Sequence, residues 1–335
     1  MGLIKAFTGS AGGVLADQWK EFFYCDSLDA DTLVMKGRKN TSARSSNTKA
    51  SENIITNGSA IAINDGQAMI IVDQGKVVEF CAEPGQFVYD TSTEPSVFTG
   101  GLGQGIVDSF KRFSVRFGFG GDTGHDQRIY YFNIKEIVDN KYGTPTPVPF
   151  RVIDRNIGLD VDISVRCNGV YSYKIVDPIL FYTELCGNVT DRYLRSEIDG
   201  QMKSELLTAL QPAFAKISAQ GVRYSEIPAH TTEVCEALDE ELSYKWTQLR
   251  GIKIVSFGVN SIAASEEDQQ MIKDLQKSAT MRDPRMAAAV LTGAQADAMR
   301  SAAMNENGAM AGFMGMGMVN GIAGNQAANL YNMEP

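Results

Sequence analysis

The sequence predicts an α+β fold of antiparallel sheets and packed helices, followed by a further helix and a Met/Gly-rich tail, and three observations predict it. Asn53 to Asp90 holds three short apolar runs separated by turn chemistry at Asn57-Gly58, Asp65-Gly66 and Gln74-Gly75, the pattern of a β-meander. Leu159, Val161, Ile163, Val165 and Cys167 alternate with Asp160, Asp162, Ser164, Arg166 and Asn168, which turns one face of a strand to a core and the other to water or another subunit. Asp177 to Leu249 then carries apolar positions at helical spacing before the strand Ile252–Val259, so helices cover one face of an antiparallel sheet.

Residues 1–24 place Leu3, Ile4, Phe7, Ala11, Val14, Leu15, Trp19, Phe22 and Phe23 on one arc at helical spacing, opposite Ser10, Asp17 and Lys20, which predicts an amphipathic helix. Gly9, Gly12 and Gly13 each weaken it by about 1 kcal/mol relative to Ala, so order is expected only where the apolar face finds a surface. That surface is a membrane, since Trp and paired Phe suit an interface, or alternatively the helix packs on its own domain or a neighbouring subunit.

Thr32 to Met35 reads as a short strand, and Lys36 to Asn53 as a polar, Ser-rich loop that is basic at Lys36, Arg38, Lys39, Arg44 and Lys49. Within the meander, Gln67 to Val72 is the continuous apolar run of a strand covered on both faces, and the runs beside it alternate. Glycine clusters at Gly100–Gly105 and Gly118–Gly124 match no phosphate-loop spacing, and the second joins expected strands Arg112–Phe117 and Arg128–Ile134. Thr144 to Pro149 is a stiff connector and the expected subdomain boundary.

Asn168-Gly169 turns the chain into Val170–Ile175, and Asp177-Pro178 starts a helix that Gly187 stops. Thr190 is expected to begin a long helix with Leu194, Ile198, Met202, Leu206, Leu210 and Phe214 down one side. A further helix from Thr232 to Leu249 buries Val234, Leu238, Leu242 and Trp246, with Gly251 as its cap. Ser265 and Asp268 form a capping box for a helix to about Met281, Pro284 interrupts it, and Met286 to Ala303 resumes it. Met304 to Pro335 is Met-, Gly-, Ala- and Asn-rich, read as a soft contact surface or a disordered tail.

The formal net charge of −9 argues against nucleic acid, whose binders cluster Lys and Arg. Five scattered cysteines without a C-x-x-C pair support neither a disulfide framework nor a zinc ribbon and suit a reducing compartment. No run approaches the ~18 apolar residues of a transmembrane helix, and no signal peptide opens the chain. His125 and His230, the only histidines, lie in no metal-ligand or nucleophile pattern, and Asp160 with Asp162 reads as a solvated strand face or an intersubunit pairing with Arg166. No catalytic residue, cofactor or metal is expected.

The segment IAINDGQAMIIVDQGKVVEFCAEPGQF, followed much later by GVYSYKIVDPILFY, resembles the SPFH or band 7 superfamily of stomatin, prohibitin and flotillin, and within it a bacterial virion-core-protein-like branch. The likeness covers most of Asp26 to Lys277, and the chain departs from many relatives in ending without a zinc ribbon. The resemblance implies a non-enzymatic, peripheral membrane scaffold on the cytoplasmic side that self-assembles into a ring or cage. It would recruit membrane-stress or membrane-remodelling proteins. Expected parts are the helix 1–24, a β-rich subdomain 25–147, an α+β subdomain 148–264, an oligomerisation helix 265–303 and the tail 304–335. The first supplies Leu3, Ile4, Phe7, Val14, Leu15, Trp19, Phe22 and Phe23 to lipid or a partner protein, as a scaffold or as a soluble adaptor. The oligomerisation helix supplies Met271, Ile272, Leu275, Ala288, Val290 and Leu291 to a seam between subunits.

Overall fold

The computed structural model describes residues 2–5, 21–41, 53–113, 126–154, 158–280 and 284–304. They form an α+β fold in two compact units, one of Met1–Val148, Arg166–Ile217 and Ser225–Ile262, the other of Pro149–Val165, Ser218–Tyr224 and Ala263–Pro335.

The strands of two sheets are, in chain order, β1 (Gly2–Lys5), β2 (Glu21–Tyr24), β3 (Thr32–Lys36), β4 (Arg38–Thr41), β5 (Ala60–Ile63), β6 (Gln67–Asp73), β7 (Lys76–Cys81), β8 (Gly85–Asp90), β9 (Val97–Phe98) and β10 (Gln127–Asn133), with β14 (Arg192–Leu194) added later. One sheet runs β1-β8-β5-β2-β4 and the other β14-β3-β10-β6-β7-β9. All of β6 is buried, as its unbroken apolar run predicts, because β10 and β7 close its edges and both faces are covered. Met69 and Ile71 join Phe87, Tyr89 and Tyr131 in one core. The turn after β6 has positive φ at Gln74 (50°) and Gly75 (80°), which a type I′ hairpin requires.

A third sheet holds β11 (Ile137–Gly143), β12 (Val148–Asp154) and β13 (Leu159–Ile175) in the order β11-β13-β12, with β15 (Ile252–Ala264) also pairing β13. Gly169 is required here, since a Cβ would collide with the Gly258 carbonyl and the Tyr142 ring. Tyr142 therefore reaches from β11 over β13, donates to the Gly258 carbonyl at 3.1 Å and stacks on Phe257 at 4.7 Å.

The helices are α1 (Gly105–Phe113), α2 (Pro178–Phe181), α3 (Asp199–Ala219), α4 (Thr231–Ser243), α5 (Glu266–Thr280) and α6 (Pro284–Met304), and π-helical turns extend α2 through Cys186 and α4 through Gln248. As predicted, Asp177 caps α2, accepting from the Ile179 and Leu180 amides at 3.0 and 3.1 Å, and the Ser109 hydroxyl of α1 donates to the same carboxylate. Phe181 meets Phe132 edge to face at 6.3 Å, which lays this helix against the six-stranded sheet.

Several expectations are corrected. Residues 1–24 are not one helix: Gly2–Lys5 pairs with β8, and Glu21–Tyr24 lies between β5 and β4, while residues 6–20 lie outside the described residues. The alternating burial of Glu21–Tyr24 answers to sheet neighbours brought from distant chain, which outweigh a weak helical tendency. Arg38–Thr41 is strand rather than loop, Val148 and Pro149 at the end of the expected connector already belong to the strand Val148–Asp154, and Gly105–Phe113 is a helix where a strand was expected from Arg112. Thr190 starts no helix, because Arg192–Leu194 pairs with β3 and α3 begins at Asp199. Its predicted face is nonetheless the buried one from Ile198 through Phe214.

Candidate interaction surfaces

The N-terminal positions divide. Leu3 and Phe23 are 5% and 3% exposed and belong to the sheet core, so they are unavailable to lipid or a partner. Phe22 is half-buried, Ile4 is 47% exposed, and Phe7, Val14, Leu15 and Trp19 lie outside the described residues. β1 is tied down through the Leu3 amide, which donates to Ser96 Oγ at 3.1 Å, and that hydroxyl donates onward to Glu79 Oε2 at 2.6 Å. Of the basic residues singled out nearby, Arg38 pairs with Asp26 at 2.6 Å and Lys39 with the buried Glu21 at 2.7 Å, so both serve the fold.

The C-terminal positions divide in the same way. Ile272 and Ala288 are buried, whereas Met271, Leu275, Val290 and Leu291 are exposed. The Ser265 hydroxyl accepts from the Asp268 amide at 3.0 Å, the expected cap, and Asp268 in turn accepts from the Ser164 amide of β13 at 2.9 Å. Ile272 is the buried position of this stretch, and Met271 and Leu275 beside it line a surface depression with Glu266, Glu267 and Asp274. An apolar stripe with a charged border is the composition of a helix seam. Within the chain Asp160 pairs with Arg151 through two bonds at 2.7 and 2.6 Å.

Burial pushes the thiols of Cys25, Cys81 and Cys186 up to about 12 and those of Cys167 and Cys235 up to about 11, which leaves them protonated. Among the described residues no three His, Cys, Asp or Glu side chains converge to hold a metal ion. Two buried carboxyls that sequence reasoning missed serve packing. Glu205 accepts from Trp246 Nε1 at 2.9 Å and from both Arg250 nitrogens at 2.6 and 3.1 Å, and Glu79 accepts from the Ser96 amide at 3.0 Å. The polar residues of these networks stand far apart in sequence, so no spacing signals them.

The SPFH domain–Band 7 family matches residues 47–282, most of the chain, and the chain belongs to that family. Members are typically membrane-associated scaffolds that self-assemble and are generally not enzymes. Comparison with the curated proteins finds no match. Among the described residues no helix is long and apolar enough to cross a membrane.

Proposed function

We propose that the chain is a self-assembling scaffold, peripheral on the cytoplasmic face of a membrane, that organises membrane patches and recruits envelope-stress or membrane-remodelling proteins. The family match over residues 47–282 carries this reading. Assembly runs through α5 and α6, whose buried Ile272 and Ala288 hold the helices in place while Met271, Leu275, Val290 and Leu291 meet a neighbouring subunit. Lipid contact falls to Phe7, Val14, Leu15 and Trp19, between two strands anchored in one sheet, together with the exposed Ile4. The mechanism is avidity, because a weak attachment repeated on an assembled body makes each later attachment effectively intramolecular.

Flotation of the purified chain with liposomes tests the reading. Replacing Phe7 and Trp19 by Asp removes the largest apolar side chains from that segment, and the variant is expected to stay at the bottom of the gradient with an unchanged circular dichroism spectrum. Flotation equal to that of the unaltered chain would overturn the lipid contact.

A further inference from the structure

We propose that the free edge of β15 pairs antiparallel with β15 of a second copy of this chain, about a twofold axis at Gly258. This rests on the self-assembly reading above and adds a second surface to it.

Sheet edges invite pairing with other chains, and proteins blunt them with shortness, charge, proline or bulges. Among the described residues the other sheet edges are blunted in those ways. β1 has four residues, β9 two, and β14 three with Arg192 among them. β4 carries Arg38 and Lys39, β12 carries Pro149 and Arg151, and β11 is broken by a register shift at Asp139, whose φ is 58°. β15 is the longest of these edges, with thirteen residues, no proline and Lys253 as its one charge, and its alternation slips only at Val255–Ser256 and Asn260–Ser261. It pairs with β13 alone, and no described strand lies on its other side.

The backbone groups on that edge are ready to pair. The Gly258 carbonyl lies against Gly169 of β13, where the Tyr142 hydroxyl of β11 reaches over to donate to it, and in a regular ladder the flanking residues Phe257 and Val259 direct their N–H and C=O to the opposite edge.

What marks the occupant as a second copy is symmetry. Exposure along β15 reads the same in both directions from Gly258: Phe257 and Val259 are buried, Ser256 and Asn260 exposed, Val255 and Ser261 exposed, and the matching order continues to both ends, with a half-buried residue for a buried one at a single pair. Two adjacent exposed residues mark a slip in the alternation on each side, at equal distance from the centre. A twofold pairing therefore sets inward residues against inward ones and slip against slip, the self-complementarity that an isologous interface demands. Lys253 falls opposite Ala263, so no like charges meet. A foreign strand of regular alternation would lose face register at both slips.

Cross-linking and charge pairing test the proposal in the full chain. Val255→Cys with Ser261→Cys cannot bridge within one strand, where the two lie roughly 20 Å apart, but opposite residues of paired strands approach within about 5.5 Å between Cβ atoms. Mild oxidation is expected to give a covalent dimer in which peptide mapping finds the 255–261 linkage; its absence would overturn the proposal. In a background of Met271→Asp and Leu275→Asp, which breaks the α5 contact, sedimentation is expected to find dimers. Val255→Lys with Ser261→Lys should weaken those dimers at least about tenfold by setting lysine against lysine, and Val255→Glu with Ser261→Lys should restore them. Monomers in that background, or dimers indifferent to the lysines, refute the β15 pairing. Large assemblies unaffected by the two aspartates would instead refute the α5 seam, and the 255–261 linkage then decides the β15 pairing alone.

Discussion

Met69 in β6 and Met271 in α5 are the same side chain in opposite settings. Met69 is wholly buried, held in a core that both large sheets supply, whereas Met271 is 36% exposed beside Leu275 on a helix whose other side is already satisfied. Burial removes the first from any role but packing and leaves the second free for a partner. The difference separates a side chain that serves packing in the meander from one on a mostly polar helix that is left on the surface.

Truncating each methionine to Ala should break the symmetry between them most clearly. Met69→Ala leaves a cavity in close-packed surroundings and is expected to cost about 2–5 kcal/mol, against less than about 0.5 kcal/mol for Met271→Ala, as read from urea midpoints. Equal losses would show that α5 is packed as tightly as the sheets.

A smaller effect is expected at Glu205, where substitution by Gln leaves the Arg250 guanidinium without its carboxylate. The cost should be about 1–3 kcal/mol, measured as a lower denaturation midpoint. Burial raises the Glu205 carboxyl, but the bonds from Arg250, Gln201 and Trp246 outweigh it and the net shift is downward. A carboxyl lowered on folding stabilises above its unfolded value and loses that contribution as pH falls through the folded one. Glu205→Gln should therefore differ from the unaltered chain most at neutral pH and least in acid.

Glu79, in β7 of the six-stranded sheet, has the opposite slope. Burial pushes its carboxyl up to about 8 despite the bonds from Ser96. It holds its proton more tightly when folded, so its contribution is complete below the ordinary carboxylate range and is lost as pH rises through about 8. Glu79→Gln, which mimics the protonated form, is expected to melt higher than the unaltered chain at about pH 9 and to converge with it at about pH 5. A constant gap across that range would show that the carboxyl is ionised in the folded state.

The turns of the meander, the buried run of β6, the Asp177 cap and the Ser265 cap are legible in the sequence because each depends on residues within a few positions of one another. So is the buried face of α3, since apolar spacing survives an error in where the helix begins. The candidate seam is half legible: spacing finds Met271, Ile272 and Leu275 together, but only packing against the rest of the second unit sends Ile272 inward and leaves its neighbours out.

The ends of the N-terminal stretch show the limit most directly. Leu3 and Phe23 fit a helical arc by spacing, and the same apolar side chains fit a strand as well. β8 and β5 settle the choice, from residues 85–90 and 60–63, by supplying backbone partners that no local window contains. Family, fold class, turns and caps can all be read along the chain, the turns and caps because their causes are short-range. Which apolar residues stay exposed, and which described strand edge stays unpaired, follows from packing, because burial and ladder pairing depend on what distant segments bring alongside.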